Sequence, residues 1–263
     1  MPDGQIAPVS NRSLLLTALG RQRVGKTALL NMVVQYFRER GAAIEVWNAD
    51  QQNRTHSLST FFPDAAVPPS SGLIDGRVWI EGQMVHQLGR RTHAVLDAGG
   101  GWTGFSSLVQ YVPVIDALSK AGTDTIGLFC VGPEQADLDY LQQFADSGWF
   151  LPHASVIVLN EGLVVSGRSA GGAFSAVVAS PTVQAAIKRG ARVIFMPALS
   201  CMSEVTDRGI SFSDAAEGRV KLGQAPMSLF DPVRVREWWT KKVPAFFSQF
   251  PPDWLPARIE GPV

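Results

Sequence analysis

The chain has 263 residues, 46% of them hydrophobic and 17% charged, which excludes disordered and fibrous classes and leaves room for one large α/β domain or two small ones. Its 23 basic and 23 acidic side chains cancel, so the composition writes in no dominant electrostatic grip on nucleic acid. Two cysteines, Cys130 and Cys201, are too few for a disulfide framework. The opening Met1-Pro-Asp-Gly carries no basic-then-apolar leader, and no apolar run approaches the roughly 20 residues that span a bilayer. A cytoplasmic protein is expected.

The first element is the apolar run Ser13-Leu-Leu-Leu-Thr-Ala-Leu19, which predicts a strand over Leu14–Leu19. Gly20-Arg-Gln-Arg-Val-Gly-Lys-Thr27 follows at once and fits the eight-residue P-loop pattern G-x-x-x-x-G-K-[ST]. In that pattern the glycines let backbone N–H groups curl around phosphates, Lys26 reaches their outer oxygens, and Thr27 offers a hydroxyl to Mg²⁺. Gly20, Arg23, Val24, Gly25, Lys26, Thr27 and Ala28 are therefore the candidate nucleotide contacts. Leu29, Leu30, Val33, Val34 and Phe37 then recur at helical spacing until Gly41. A helix starting there brings its positive end to the phosphates.

A strand over Ala43–Trp47 leads into Asn48-Ala-Asp50-Gln-Gln52. Parallel strands carry their reactive groups just past their carboxyl ends, so Asn48 and Asp50 should face the phosphates. Asp64 to Gly76, rich in proline, serine and glycine, reads as irregular. Thr92-His-Ala-Val-Leu-Asp97 is a strand (Ala94–Leu96) ending in an acid, followed by Ala98-Gly-Gly-Gly101. This is a Walker-B-like arrangement, with Asp97 holding the metal's water shell and the glycines placed to sense a γ-phosphate.

Further strands are predicted over Ile126–Val131, Ser155–Leu159 and Arg192–Met196, and helices from Pro133 to Gly148 and from Pro181 to Gly190. Cys130 falls inside an apolar strand and reads as a buried small residue, not a nucleophile. Ser166–Gly172 reads as a mobile loop. Asp231-Pro232 opens a last helix running through Trp239, which Pro244 should kink or stop. The strands lack polar alternation, as strands buried on both faces do. The fold class is thus α/β, a mostly parallel sheet with helices on both faces, of the P-loop NTPase type. Residues 1–263 read as one domain, with 231–263 a helical C-terminal appendage.

The segment from Gly25 to Gln52 resembles the ParA/MinD group of deviant-Walker P-loop ATPases, whose second strand ends in an Asp-x-Asp-Pro-Gln-like motif. The resemblance implies that Asp50 positions the attacking water and that Gln52 is the motif's glutamine. Asn48 replaces the first aspartate; it can orient a metal-bound water but adds no charge, which lowers the expected Mg²⁺ affinity or turnover. Val156–Asn160 is similar to the strand whose terminal asparagine, here Asn160, contacts adenine. Val193–Pro197 is similar to the strand ending in the proline that lines the base pocket. The region from Glu204 to Gly223 is similar to the family's acidic-alanine helix and closing turn. The short spacing from P-loop to Asp97 points to the StbB/TraL-like plasmid-stability and conjugation branch. Arg21 stands where the family has a signature lysine that crosses a dimer interface, and Arg23 where a glycine is usual. Arginine can grip phosphate with a fork of donors, so Arg21 joins Lys26 and Asp50 as a catalytic candidate, unless the position has lost that role.

From this resemblance follows a slow, partner-stimulated ATP hydrolase that uses ATP and Mg²⁺, with Thr27 and Asp97 at the metal. It would dimerise with nucleotide and act as a switch in partition, positioning or transfer of plasmid DNA or another cargo. An activating partner protein and a place in the cytoplasm, or peripheral to nucleoid or membrane, are implied with it. Two alternatives stand beside it. One is an ATP-dependent small-molecule phosphotransferase or ligase, similar to dethiobiotin synthetase, with an acceptor pocket built from Phe61–Gly76 and Gly167–Gly172. The other is a non-hydrolysing nucleotide-gated scaffold, motivated by Asn48 and Arg21. His56, His86, His93 and His153 show no metal-ligand spacing, and Ser169-Ala-Gly-Gly172 is not a nucleophile elbow. Val235, Trp238, Trp239, Phe246 and Phe247 beside Lys241 and Lys242 form either a helix packed on the sheet or an amphipathic segment that docks on a partner or membrane. Arg219, Lys221, Arg234 and Arg236 with those lysines are either solvated surface or a weak DNA-binding face.

Overall fold

A computed structural model describes residues 9–10, 12–50, 56–99, 103–111, 113–148 and 150–259. The strands are β1 (Val9–Ser10), β2 (Ser13–Leu19), β3 (Ile44–Asn48), β4 (His93–Asp97), β5 (Thr123–Val131), β6 (Ala154–Asn160), β7 (Arg192–Met196) and β8 (Arg258–Ile259). The helices are α1 (Lys26–Arg38), α2 (Leu58–Phe61), α3 (Leu73–Arg90), α4 (Thr103–Tyr111), α5 (Val114–Lys120), α6 (Gln135–Ser147), α7 (Ala170–Ala179), α8 (Pro181–Lys188), α9 (Met202–Arg208), α10 (Phe212–Ala216), α11 (Asp231–Glu237) and α12 (Val243–Phe247).

Six strands make one sheet in the order β3-β4-β2-β5-β6-β7, every neighbouring pair parallel. β2 is buried at every residue because it lies in the middle, between β4 and β5, with helices above and below. Its Leu14, Leu16 and Ala18 face one apolar layer with α1, α10, α11 and α12. Leu15 and Leu19 face the other, with α3, α4, α6 and α7. The chain leaves β2 toward β3 on one side and β5 toward β6 on the other, so the crevice at the carboxyl end of β2 is where a ligand fits this topology.

The predicted strands lie where expected, and Arg192–Met196 matches to the residue. Three readings are corrected. Leu73–Gly76, taken as irregular, is the first turn of the 18-residue α3; its interior glycines Gly76, Gly82 and Gly89 lower helix propensity and blur the apolar period. The 166–172 segment is only partly loop, because Ser169 accepts from the Gly172 N–H and caps α7 at Ala170. Of the two effects expected of Pro244, a kink or a stop, the stop does not occur: the π-helical turn Trp238–Lys242 lies between α11 and α12, and the helix runs on to Phe247. A π turn shifts the hydrogen-bond register where proline has no N–H to give.

Residues 235–247 contribute to the core. Val235, Trp238, Trp239, Val243, Phe246 and Phe247 are buried in the same apolar layer as Tyr36 and Phe37 of α1. Trp239 stacks on Phe212 at 5.1 Å between ring centroids, and the Trp238 Nε1–H donates to the Pro197 carbonyl at 2.9 Å. The aromatic face that suggested docking on a partner is therefore used within the chain. Beyond it, β8 pairs in parallel with β1 and joins the two ends. No single described helix is long and apolar enough to cross a membrane.

Candidate functional site

The P-loop joins β2 to α1 with two glycines that no other residue can replace. Gly20 has φ of +138°, and a Cβ there would sit 2.4 Å from the Cys130 carbonyl oxygen of the adjacent β5. Gly25 has φ of +98°, and its Cβ would meet the Asn160 amide nitrogen at 2.4 Å. Arg23 takes the left-handed region at φ of +65° without that freedom, so it carries backbone strain. Gly25 caps α1 with no side-chain acceptor, and the first-turn residues Lys26, Thr27 and Ala28 point their N–H groups into the loop. Val24 is buried and anchors the loop's far side.

Lys26 is buried. Its ammonium donates to the Gly20 carbonyl at 3.0 Å and the Arg21 carbonyl at 2.7 Å, so it lies folded along the loop. Burial holds its pKa below the ordinary lysine value, against the pull of Cys130, Asp97 and Asp50. The Thr27 hydroxyl donates to Asp97 Oδ2 at 2.7 Å, which brings the two expected metal residues together from β4 and α1. Asp97 is fully buried and also accepts from the Gly99 N–H at 3.2 Å. Burial raises its carboxyl above the usual range, although Thr27, Gly99 and Lys26 act against that. A fully buried carboxylate beside a hydroxyl is a hard-oxygen donor pair, and a divalent cation would relieve its desolvation. The residues present fit Mg²⁺.

Asp50 lies within the same cluster. The Ala49 N–H donates to the Asp97 carbonyl at 2.8 Å, and a Cβ on Gly99 would come within 2.9 Å of the Asp50 carboxyl carbon. Asn48, by contrast, is occupied at both ends: its amide donates to Ser59 Oγ at 2.8 Å and its oxygen accepts from the Asp50 N–H at 3.2 Å. It is a brace for Asp50. Gln52, Gly100 and Gly101 lie outside the described residues.

Two side chains that the resemblance assigns to ligand or partner make bonds within the chain. Asn160 donates to the Val24 carbonyl at 2.9 Å and accepts from the Gly162 N–H at 2.9 Å, so the side chain assigned to adenine serves here as a strut beneath the loop. Pro197 is at the carboxyl end of β7 with its carbonyl engaged by Trp238. Arg21 does not reach outward. Its guanidinium bonds in cis to Glu134 at 3.2 Å and to the buried Asp137 of α6 at 3.0 Å, and these bonds raise its pKa further. Sequence spacing held no sign of this clamp, since its members lie 113 and 116 positions apart. Cys130 is buried and its thiol is pushed up to about 12 by desolvation, which removes it as a nucleophile.

Parallel-sheet order, a glycine loop at the central strand, and Thr27 bonded to an acid on the neighbouring strand settle the architecture. The fold is that of a P-loop NTPase. No protein-family model matches the chain, and no curated protein matches it significantly. Among solved structures, an ATP complex of McdA from Cyanothece aligns over 97% of this chain and 99% of its own at TM-score 0.50 and 14% identity. The cell division protein MinD of Aquifex aeolicus covers 86% and 96% at TM-score 0.48 and 14% identity. The cell division protein FtsY of Thermotoga maritima covers 89% and 70% at TM-score 0.44 and 16% identity. The McdA likeness is one of fold over the whole chain.

The acceptor pocket expected between Phe61–Gly76 and Gly167–Gly172 takes a different form. The hollow beside Thr60, Phe61 and Pro63 is closed by Gly209, Ile210 and Lys221, and the 167–172 segment is not part of it.

Proposed function

We propose that this chain is a Mg²⁺-dependent ATPase of the ParA/MinD type, a slow switch whose ATP-bound and ADP-bound states differ in self-association and partner binding. The observation that carries the reading is the Thr27–Asp97 hydrogen bond with Lys26 and Asp50 beside it, all just past the carboxyl ends of β2, β3 and β4. Mg²⁺, when bound, supplies positive charge to the phosphates, and Thr27 and Asp97 would hold it. Lys26 neutralises phosphate charge once its bonds to the loop carbonyls are exchanged, and Asp50 orients the attacking water. The McdA structure that shares this fold is an ATP complex, which supports ATP as the nucleotide. Partition, positioning or transfer of plasmid DNA or another cargo, an activating partner, and a cytoplasmic place near nucleoid or membrane belong to the same proposal.

Arg21, held by Glu134 and Asp137, motivates a second reading, a scaffold that binds ATP without turning it over. Equilibrium nucleotide binding, steady-state turnover and light-scattering mass with ADP and a non-hydrolysable ATP analogue separate the two. Wild type should bind ATP, turn it over, and form an ATP-only dimer. Lys26→Ala should lose binding, and Asp50→Ala should bind without turnover. A wild type that binds no nucleotide overturns both readings; tight binding with no turnover selects the scaffold.

A further inference from the structure

At the end of the sheet opposite the P-loop, below the amino ends of β6 and β7, lies a hollow of about 530 Å³ between the sheet, the C-terminal half of α6, and α8. Protein interiors leave few voids larger than a water molecule, and hollows of roughly 300–1,000 Å³ are the size class of small-molecule sites. Its wall is aromatic. Phe129, Phe144, Phe150 and Trp254 line it, with Phe144 edge-on to Phe129 at 5.3 Å and to Phe150 at 6.0 Å. Leu141 and Ile157 complete the apolar floor.

The polar rim is one-sided. Among the described residues, the titratable side chains lining the hollow are His153 and Arg189, and no carboxylate lines it. His153 is answered from outside by Asp124, at 3.6 Å. Arg189, exposed just past the end of α8, meets no carboxylate among the described residues. An apolar slot with one uncompensated guanidinium at its mouth complements a ligand with an apolar body and a single negative end. We propose that this hollow is a second binding site, for an amphipathic monocarboxylate. An acyl chain would lie among the phenylalanine rings, with its carboxylate on Arg189.

The proposal does not depend on the nucleotide reading, because none of its residues belongs to the P-loop cluster. Isothermal titration calorimetry of the full chain with sodium octanoate, against octanol as the uncharged analogue, tests it. Octanoate should bind saturably at one site, at least about tenfold more tightly than octanol. Arg189→Gln, a surface change whose unfolding curve should overlay that of wild type, should weaken octanoate about tenfold and leave octanol unchanged. Ala186→Phe fills the hollow and should abolish binding of both. No saturable binding by wild type, equal affinity for octanol, or an Arg189→Gln variant that binds octanoate like wild type would each overturn it.

Discussion

At the scale of single residues, the site combines strain and charge burial in ways that separate stability from function. Arg23 holds a left-handed backbone that costs an L-residue about 1–2 kcal/mol, while glycine loses somewhat more chain entropy on folding. Arg23→Gly should therefore raise unfolding stability by up to about 1 kcal/mol in urea titration, with nucleotide binding retained. Asp97 argues in the same direction for a different reason. Burial raises its pKa above the unfolded value, so its ionised form opposes folding, and stability falls as pH rises through that folded pKa. Asp97→Asn keeps the shape, removes the buried charge, and should melt higher in a thermal scan while Mg²⁺-dependent ATP affinity disappears. A lower melting temperature with intact ATP affinity would contradict the role given to this carboxylate.

Among the elements, the α11–π turn–α12 segment clamps α1, and α1 carries the P-loop lysine and threonine. Trp239 and Phe247 make the ring contacts to α1, and Trp238 braces Trp239 from behind: it is nearly fully buried, 5.0 Å from Phe212, and bonded through Nε1 to Pro197 at the end of β7. Trp238→Ala removes a large ring from a packed layer and orphans a carbonyl, which should cost about 3–5 kcal/mol in denaturant unfolding. Trp238→Phe should recover most of the packing but not the hydrogen bond. The clamp was half legible in the sequence. The apolar period of residues 235–247 signalled a helix with a buried face, but periodicity is the same whether that face meets its own core or a partner.

Over the whole molecule, His93 of β4 ties the segment leading into β8 to the central sheet. Its Nδ1 accepts from the Leu14 N–H at 3.1 Å, which leaves Nε2–H to donate to the Ala257 carbonyl at 2.7 Å, next to the β1–β8 pair. Burial drives its pKa down to about 4 from 6.5, against the Ala257 bond, because the buried ring is costly to charge. The unfolded chain binds the extra proton between those two values, so stability is full above about pH 6.5 and falls as pH drops toward 4. The window is worth roughly 3 kcal/mol. Urea midpoints measured from pH 8 to 4 should show that slope, and His93→Gln should flatten it. An unchanged slope in the variant would assign the acid sensitivity to other groups. On acidification the pairing of β8 with β1 should open before the central sheet does, seen as early amide exchange at Ala257.

By itself the sequence determined the six core strands, the P-loop with Lys26 and Thr27, and Asp97 as the acid past a buried strand. These signals are local. A phosphate cradle is one contiguous turn between a strand and a helix, and strands buried on both faces announce themselves as unbroken apolar runs. Tertiary structure alone decided what the polar groups of that site do. Asn160 became a strut to Val24 across 136 positions, Arg21 was clamped by α6, and His93 was joined to Ala257 across 164. Such pairings are set by which strands lie side by side, and a parallel sheet separates spatial neighbours by whole crossovers of chain. Residue type and spacing thus identified the P-loop and the acid beside it, while the sheet order chose the partners that hold them in shape.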